Sequence, residues 1–402
     1  MQRARRIVVV TQHYAPDPNT TAIFMTAIAE QLALESPVVV FSGWSGSAAA
    51  ASQRQGGPHI IEIRNWMPAK AALVKRAAAE LWFSIRVFFI LLMRLQRGDV
   101  VVTVTAPFML PYSVAAAAWL RRARSVLILH DLFPDVLVMA GLMRPRSIAA
   151  TAIHAANALM YRALSAVIVI GRDTTQLLKR YKGVTPDKIC FIPNWATLPI
   201  GLRPIESNNS YRQVCKRGFI VGLSGNLGFT HDPLVVFEAA RMLLDADDIG
   251  FLLSGWGTGF ESLQALQAEA KLPNVVMMGR VPETDLAEFL ASADLWIIPY
   301  RKNAAGVSVP SRFYNLLAIG RPVAIVSEAN AEAAVTIRDN DIGWVVPPGN
   351  PAALAAAIRA AASSGQARAK GMRAVEVAGQ YSFKQAMTRY RNLVHRLLEK
   401  PV

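Results

Sequence analysis

Cysteine and histidine are scarce in this 402-residue sequence, at two and six residues. Cys190 and Cys215 stand in unrelated contexts without the paired spacing of a zinc site, and no secretory prefix accompanies them. Neither a disulfide framework nor a Cys/His metal centre is therefore expected, and a reducing compartment fits. Several catalytic signatures are missing as well. There is no Walker GxxxxGK[ST] loop, no GxGxxG after the first strand and no carboxylate pair in a hydrolase pattern. The start, MQRARRIVVV, offers only four apolar residues before Thr11, Gln12 and His13, so it reads as a strand instead of a signal peptide. Charged residues make up only 18% and hydrophobic ones 53%, which excludes a largely disordered chain.

What is present in excess is positive charge, 43 Lys and Arg against 28 Asp and Glu. Residues 1–200 hold 22 of the basic and 10 of the acidic residues, leaving 21 against 18 for the remainder, so the first half carries nearly all the excess. These basic residues interleave with apolar helical stretches, not with the glycine and aromatic patterns of a nucleic-acid platform, which favours an anionic membrane surface as partner and argues against nucleic acid. Residues 71–95 have the length of a spanning helix but contain Lys75, Arg76, Glu80, Arg86 and Arg94. An interfacial helix tolerates such charges, with Trp82, Phe83, Phe88, Phe89 and Leu92 entering the headgroup boundary. The alternative is a helix packed on its own sheet.

Short β-branched runs alternate with longer helical stretches throughout, the pattern of parallel sheets with crossover helices. Strands are expected at residues 6–11, 38–42, 100–104, 126–130 and 166–170. Around residues 192–210 the composition turns to Pro, Asn and Ser and reads as a linker. The pattern restarts with strands at 219–224, 249–254, 275–279, 295–299, 322–326 and 343–346. The expected architecture is α/β, with two Rossmann-like doubly wound domains facing a central cleft. The first domain spans 1–200 and the second 201–381, and a basic amphipathic helix in 382–402 returns toward the first. Ligands in such sheets bind beyond the carboxyl ends of the strands.

The strongest constellation is SVPSRFYNLLAIGRPVAI, residues 308–325. Ser308, Pro310, Ser311 and backbone amides gather where a loop enters a helix near Arg312, a place suited to a phosphate. Arg312 adds a charge-assisted contact to a diphosphate, and Gly320 ends the helix. SGNLG supplies Gly225, Asn226 and Gly228 directly after a strand, where glycine lets a backbone approach a pyrophosphate. MMGRVP puts Arg280 and Val281 at a turn whose backbone suits a nucleobase. In the first half, HDLFPDV places His130 and Asp131 at a strand end, suited to proton sharing and hydroxyl orientation; a capped turn is the alternative.

These motifs, with LSGWG, ASADLWIIPY and IPNWA between them, occur in the order found in the large retaining GT-B glycosyltransferase family four. The chain resembles in particular bacterial enzymes of colanic acid, O-antigen and exopolysaccharide assembly. The resemblance implies retaining transfer from a nucleotide sugar, UDP-linked by preference, to a lipid-linked or growing saccharide in cell-surface polysaccharide synthesis. It implies a hexosyl- or N-acetylhexosaminyl-transferase with no cofactor and no metal. Cytoplasmic location, peripheral on the inner face of the cell membrane, follows as an expectation. Two family glutamates are replaced by Val307 and Asn315, so ribose contact falls to Asn315, or to Glu332 in the following loop. Phe229, Thr230 and His231 stand where a basic residue is usual, throwing phosphate duty onto Arg312. Residues 15–22 replace a Gly-Gly loop, with Thr20 and Thr21 capping the next helix beside the acceptor. The missing glutamates leave open a nucleotide-sugar epimerase of the same fold, or a GT-B protein that binds nucleotide sugar without transfer.

Overall fold

The computed structural model describes residues 5–17, 19–43, 55–66, 68, 73–363 and 365–400. Among the described residues the first half holds seven strands, β1 (Ile7–Thr11), β2 (Val38–Gly43), β3 (His59–Ile63), β4 (Val100–Val104), β5 (Arg124–Leu129), β6 (Ala166–Val169) and β7 (Ile189–Phe191). Between them lie α1 (Thr20–Ala33), α2 (Leu73–Arg94), α3 (Leu110–Leu120), α4 (Asp135–Met139), α5 (Ile148–Ala163) and α6 (Thr174–Leu178). The second half opens with α7 (Ser210–Cys215) and adds six strands: β8 (Phe219–Asn226), β9 (Ile249–Trp256), β10 (Val275–Met278), β11 (Leu295–Pro299), β12 (Val323–Val326) and β13 (Gly343–Val346). Its helices are α8 (Pro233–Arg241), α9 (Thr258–Ala270), α10 (Leu286–Ala291), α11 (Ser311–Ala318), α12 (Glu332–Asn340), α13 (Pro351–Ser363), α14 (Gln366–Ala378) and α15 (Phe383–Glu399).

Every ladder within the two sheets is parallel, in the orders β3-β2-β1-β4-β5-β6-β7 and β10-β9-β8-β11-β12-β13. Each order reverses once, at β1/β4 and at β8/β11, and the loops leaving the strands at these reversals are where a doubly wound sheet receives ligands. Full burial of IVVVT in β1 and VVVTV in β4 explains their uninterrupted apolar runs, since helices cover both faces. Two strands, β3 and β7, fall outside the sequence expectation. Both sit at the edges of the first sheet, where partial exposure dilutes the apolar signal.

The last helix, α15, buries Ala386, Met387, Tyr390, Leu393, Val394 and Leu397, a stripe of helical period. That stripe shares a core with Ile7, Phe24 and Ile28 of the first domain, and Arg391 pairs with Glu35 of the α1 exit at 2.7 Å. Ser382 caps the helix by accepting from the Gln385 amide. In α2 the residues Phe83, Val87 and Leu91 recur every fourth position and are fully buried against the sheet. Each contributes roughly 1.5–3 kcal/mol of burial. Phe83 therefore belongs to the core and not to a membrane-facing set, and Phe88 and Leu92 are half-buried against the same cluster. Trp82, Ile85, Phe89 and Met93 form the opposite, exposed face. Residues 71 and 72 of the expected helix lie outside the described residues.

Candidate active site between the two sheets

The loop leaving β1 reaches α1 through Asn19, whose side chain accepts from the Ala22 amide at 2.8 Å. Asn19 is thus the cap. Thr20 and Thr21, expected to cap, instead form the first turn of α1. Across from them stands the start of α11, whose N-cap is Pro310 without any side-chain cap bond. The amides of Ser311 and Arg312 open this helix, so partial positive charge is offered to the space between. That space is a cleft of about 610 Å3. It brings together Thr20 and Thr21 from the first domain with Asn226, Arg280, Ser311, Arg312 and Asn315 from the second.

Sequence reasoning missed several of its walls. His13 and Asp17 join through Nδ1 and Oδ2 at 2.7 Å, and Arg76 and Trp195 complete the first-domain side. On the second-domain side, Arg280 lies 4.5 Å over the Trp256 ring, a cation–π stack, with Glu283 beside it. The signal for Trp256 was the GWGTG run at the end of β9, whose spacing matches no phosphate fingerprint. Burial lowers the Arg312 pKa, opposed by the Glu283 charge and reinforced by Arg280. An arginine keeps its proton through such a shift, and half-burial strengthens its pull on an anion.

Gly225 stands one residue before the end of β8 at φ +124°, a conformation that glycine supplies without a Cβ penalty. Asn226 is still paired with Trp256 in the ladder, so the strand runs two residues beyond its expected end and delivers Asn226 to the cleft. Gly228 follows in the turn, accepting from the His231 amide at 3.1 Å. His231 stacks on Tyr300 and burial pushes its pKa down to about 4, so it adds no charge at neutral pH. Val281 is half-buried on the second-domain core, next to Arg280.

His130 and Asp131 leave β5 with their amides on the Thr105 hydroxyl, at 3.2 and 3.3 Å. The His130 ring meets the cleft residue Phe24 edge-on at 6.5 Å, which sets it at the border of the cleft and not among the residues that line it. Burial lowers its pKa to about 4, leaving a neutral imidazole. Burial raises Asp131 to about 6, with a hydrogen bond from Ser308 acting the other way. Ser308 also meets the buried Tyr300 hydroxyl. Its hydroxyl therefore belongs to a contact between the domains instead of the α11 entrance.

A second correction concerns Glu332. It opens α12, only 4% exposed, and its carboxylate takes the Arg172 side chain at 2.9 Å through both oxygens and the Arg172 amide at 2.7 Å. Asp173 reciprocates, its Oδ2 accepting from the amides of Gly306 at 2.8 Å and Glu332 at 3.0 Å. These bonds clasp the β6 exit to the second domain, so Glu332 has no oxygen left for a ribose. Asn315 is likewise engaged. Its Oδ1 accepts from the Thr197 amide at 2.7 Å and the Leu198 amide at 3.2 Å, and its Nδ2 donates to the Thr197 hydroxyl at 2.9 Å. It lines the cleft while tethering the linker between the sheets.

Residues 218–364 match the family described as glycosyl transferases group 1, and residues 66–195 match the glycosyl transferase 4-like domain; together they take in more than half of the chain. The chain belongs to this glycosyl transferase family. It is 26% identical over 356 residues to the probable glycosyltransferase WbjE of Pseudomonas aeruginosa, covering 87% of this chain and 88% of that one. The putative colanic acid biosynthesis glycosyl transferase WcaI of Escherichia coli K12 is 24% identical over 327 residues, covering 79% and 80%. Among solved structures, HepE of Anabaena in complex with UDP-glucose superposes with a TM-score of 0.71 at 16% identity, over 97% of this chain and 99% of that one. Such likeness shows the fold, which is the GT-B arrangement of two Rossmann-like domains.

Proposed function

We propose that this glycosyl transferase is a retaining, metal-independent enzyme that moves a sugar from a UDP-sugar to a lipid-linked or growing saccharide in cell-surface polysaccharide assembly. The observation that carries the reading is the uncapped start of α11 with Arg312, facing α1 across a 610 Å3 cleft. In transfer, the bond from the sugar C1 to the diphosphate oxygen breaks and a bond from C1 to the acceptor oxygen forms, while the acceptor proton passes to the departing diphosphate. Charge grows on that diphosphate, and the α11 amides with Arg312 supply the stabilisation a cation would otherwise give. Neutral His130 holds a sugar hydroxyl, assisted by Asp131. Arg280 on Trp256 and Val281 border the base. Support for UDP and for polysaccharide comes from HepE, solved with UDP-glucose, and from WcaI, assigned to colanic acid synthesis.

A thermal-shift screen of UDP-, GDP- and ADP-sugars tests the donor, because a ligand selective for the folded state raises the melting temperature by mass action. UDP-sugars are expected to stabilise most, and equally with EDTA present. Stabilisation by another nucleotide, or only with a divalent ion, overturns that assignment.

The same proposal places the enzyme on an anionic inner membrane surface. No described helix is long and apolar enough to cross a membrane. Helix α2, exposed at Trp82, Phe89 and Met93, packs against α3, at whose end Trp119 and Leu120 are also exposed beside Arg121 and Arg122. Apolar groups ringed by basic ones suit shallow insertion. Cosedimentation with phosphatidylglycerol vesicles, falling at high salt and on Trp82→Ser with Phe89→Ser, is expected. Equal binding to neutral and anionic vesicles, or to neither, rules the surface out. Because these two side chains lie outside the core, their replacement leaves the fold testable by circular dichroism.

A further inference from the structure

A second space of about 590 Å3 opens between the domains on the other side of the Asp131–Ser308 contact. The segment from His130 to Pro134 is the partition. His130 meets Phe24 of the cleft, whereas Pro134 and Asp135 line the second space, and the two linings share no residue. Its floor comes from α4, α5 and α6 of the first domain, its roof from the loops around Asn303 and Glu328 of the second. The volume lies within the range of pockets that hold small organic ligands.

The chemistry of the walls narrows the ligand. Among the polar side chains here, Asp135, Arg146, Arg180, Asn303 and Glu328 end in planar groups able to bond in pairs, and His154 adds an imidazole. Their charges compensate. Arg180 holds Asp135 through both guanidinium nitrogens, and Arg146 offsets Glu328 in sign. A phosphate therefore finds no surplus of positive charge. Between these groups, Val138, Met139, Leu177 and Val307 supply apolar contact. Paired planar hydrogen-bonding groups alternating with apolar patches match the vicinal hydroxyls and C–H faces of a neutral sugar.

Glu328 makes the argument specific. Its Oε1 accepts the backbone amide of Asn303, a residue in the left-handed region at φ 68°. Its Oε2 is buried and has no hydrogen-bond partner among the described residues. A carboxylate oxygen withdrawn from water without a donor is destabilising, and a small rotation of the Glu328 side chain into the adjoining space lets a ligand hydroxyl provide that donor. Meanwhile His154 is fixed through Nδ1 on the Tyr181 hydroxyl at 2.8 Å, which orients the imidazole on this wall.

We infer that this space is a saccharide subsite, holding neutral sugar units of the acceptor remote from the hydroxyl that reacts. The inference rests on the proposed saccharide acceptor and adds where its non-reacting part is held. Saturation-transfer NMR on the full chain tests it with maltotriose, mannotriose and galactotriose as probes, each with and without saturating UDP. At least one trisaccharide is expected to receive saturation, unaffected by UDP. Glu328→Gln keeps an acceptor for the Asn303 amide but turns the free oxygen into a donor, and is expected to weaken that binding at least tenfold at unchanged UDP affinity. No transfer to any probe while UDP binds overturns the subsite and leaves the donor reading standing. Displacement of the trisaccharide by UDP puts it in the main cleft, which also overturns the subsite, as does equal binding by Glu328→Gln. Trisaccharide binding that Glu328→Gln weakens, in a chain that binds no UDP, supports the subsite and defeats the donor reading instead.

Discussion

The clasp and the cleft lie side by side between the same two domains, built from the same kinds of residue, and differ in how fully their polar groups are used. In the clasp, Arg172, Asp173 and Glu332 bond to one another and to the Gly306 amide, and Asn315 spends its carboxamide on Thr197 and Leu198. In the cleft, the α11 start has no side-chain cap, and the charges that act on Arg312 are Glu283 and Arg280. Saturated groups fix the domains relative to each other. Unsaturated ones at a helix start are left for a ligand, since the free energy of pairing them is still to be gained.

The sharpest way to break this contrast is to remove Arg312. Arg312→Ala is expected to weaken UDP binding by about 2–3 kcal/mol, the scale of a lost charge-assisted contact, while melting temperature stays near that of the parent. Calorimetry showing unchanged UDP affinity would take Arg312 out of the site. His130→Ala probes the wall between the two regions. It is expected to lower turnover roughly a hundredfold and leave UDP affinity nearly unchanged, as for a positioned polar group outside the nucleotide contacts. A collapse of UDP binding along with turnover would mean that His130 serves the nucleotide.

The clasp should answer in the opposite currency, stability without affinity. Arg172→Ala leaves the buried Glu332 carboxylate with the backbone amide of residue 172 and the Thr336 hydroxyl but no cation. Breaking a buried pair costs about 3–5 kcal/mol, and the half-exposed Arg172 side chain reduces this to about 2 kcal/mol. Denaturant unfolding is expected to show that loss at unchanged UDP affinity. A normal unfolding midpoint, or a UDP affinity that falls in step, would erase the distinction between the two regions.

How much of this was readable beforehand follows the range of the interactions. The α11 start was legible because its parts are local, with Ser311 and Arg312 opening the helix and Gly320 at φ +75° ending it. The parallel sheets were legible because buried runs such as IVVVT and VVVTV carry their own signal. Glu332 was misread because its partner Arg172 stands 160 residues away, and no local pattern distinguishes a carboxylate bound for an ion pair from one bound for a ribose. The amphipathic split of α2 was half legible. Its charges and aromatics are in the text, but which aromatics face the sheet depends on helical phase, and Phe83 with Val87 and Leu91 sets it. Trp256 was missed because its role comes from Arg280, brought over it by the next strand of the sheet.

A last effect separates the two titrating neighbours at the partition. Burial raises Asp131 from 3.8 to about 6, so the folded protein keeps a proton that the unfolded chain releases between those values. Stability from this group therefore falls as pH rises through that window and stays low above it. His130 works the other way. Its pKa drops from 6.5 to about 4, so the unfolded chain takes up a proton that the folded one refuses, and stability falls as pH drops from 6.5 to about 4. Over the shared interval the two oppose each other and the parent protein shows only a shallow dependence. Asp131→Asn cancels one limb while preserving an oxygen for the Ser308 hydroxyl. The variant is expected to melt higher than the parent at pH 7.5, to lose that advantage near pH 4, and to show the uncovered His130 limb between. Melting curves across that range decide the matter: a constant difference at all pH values, or a variant less stable at pH 7.5, would mean that Asp131 is held as a carboxylate by the Ser308 contact and belongs with the saturated clasp.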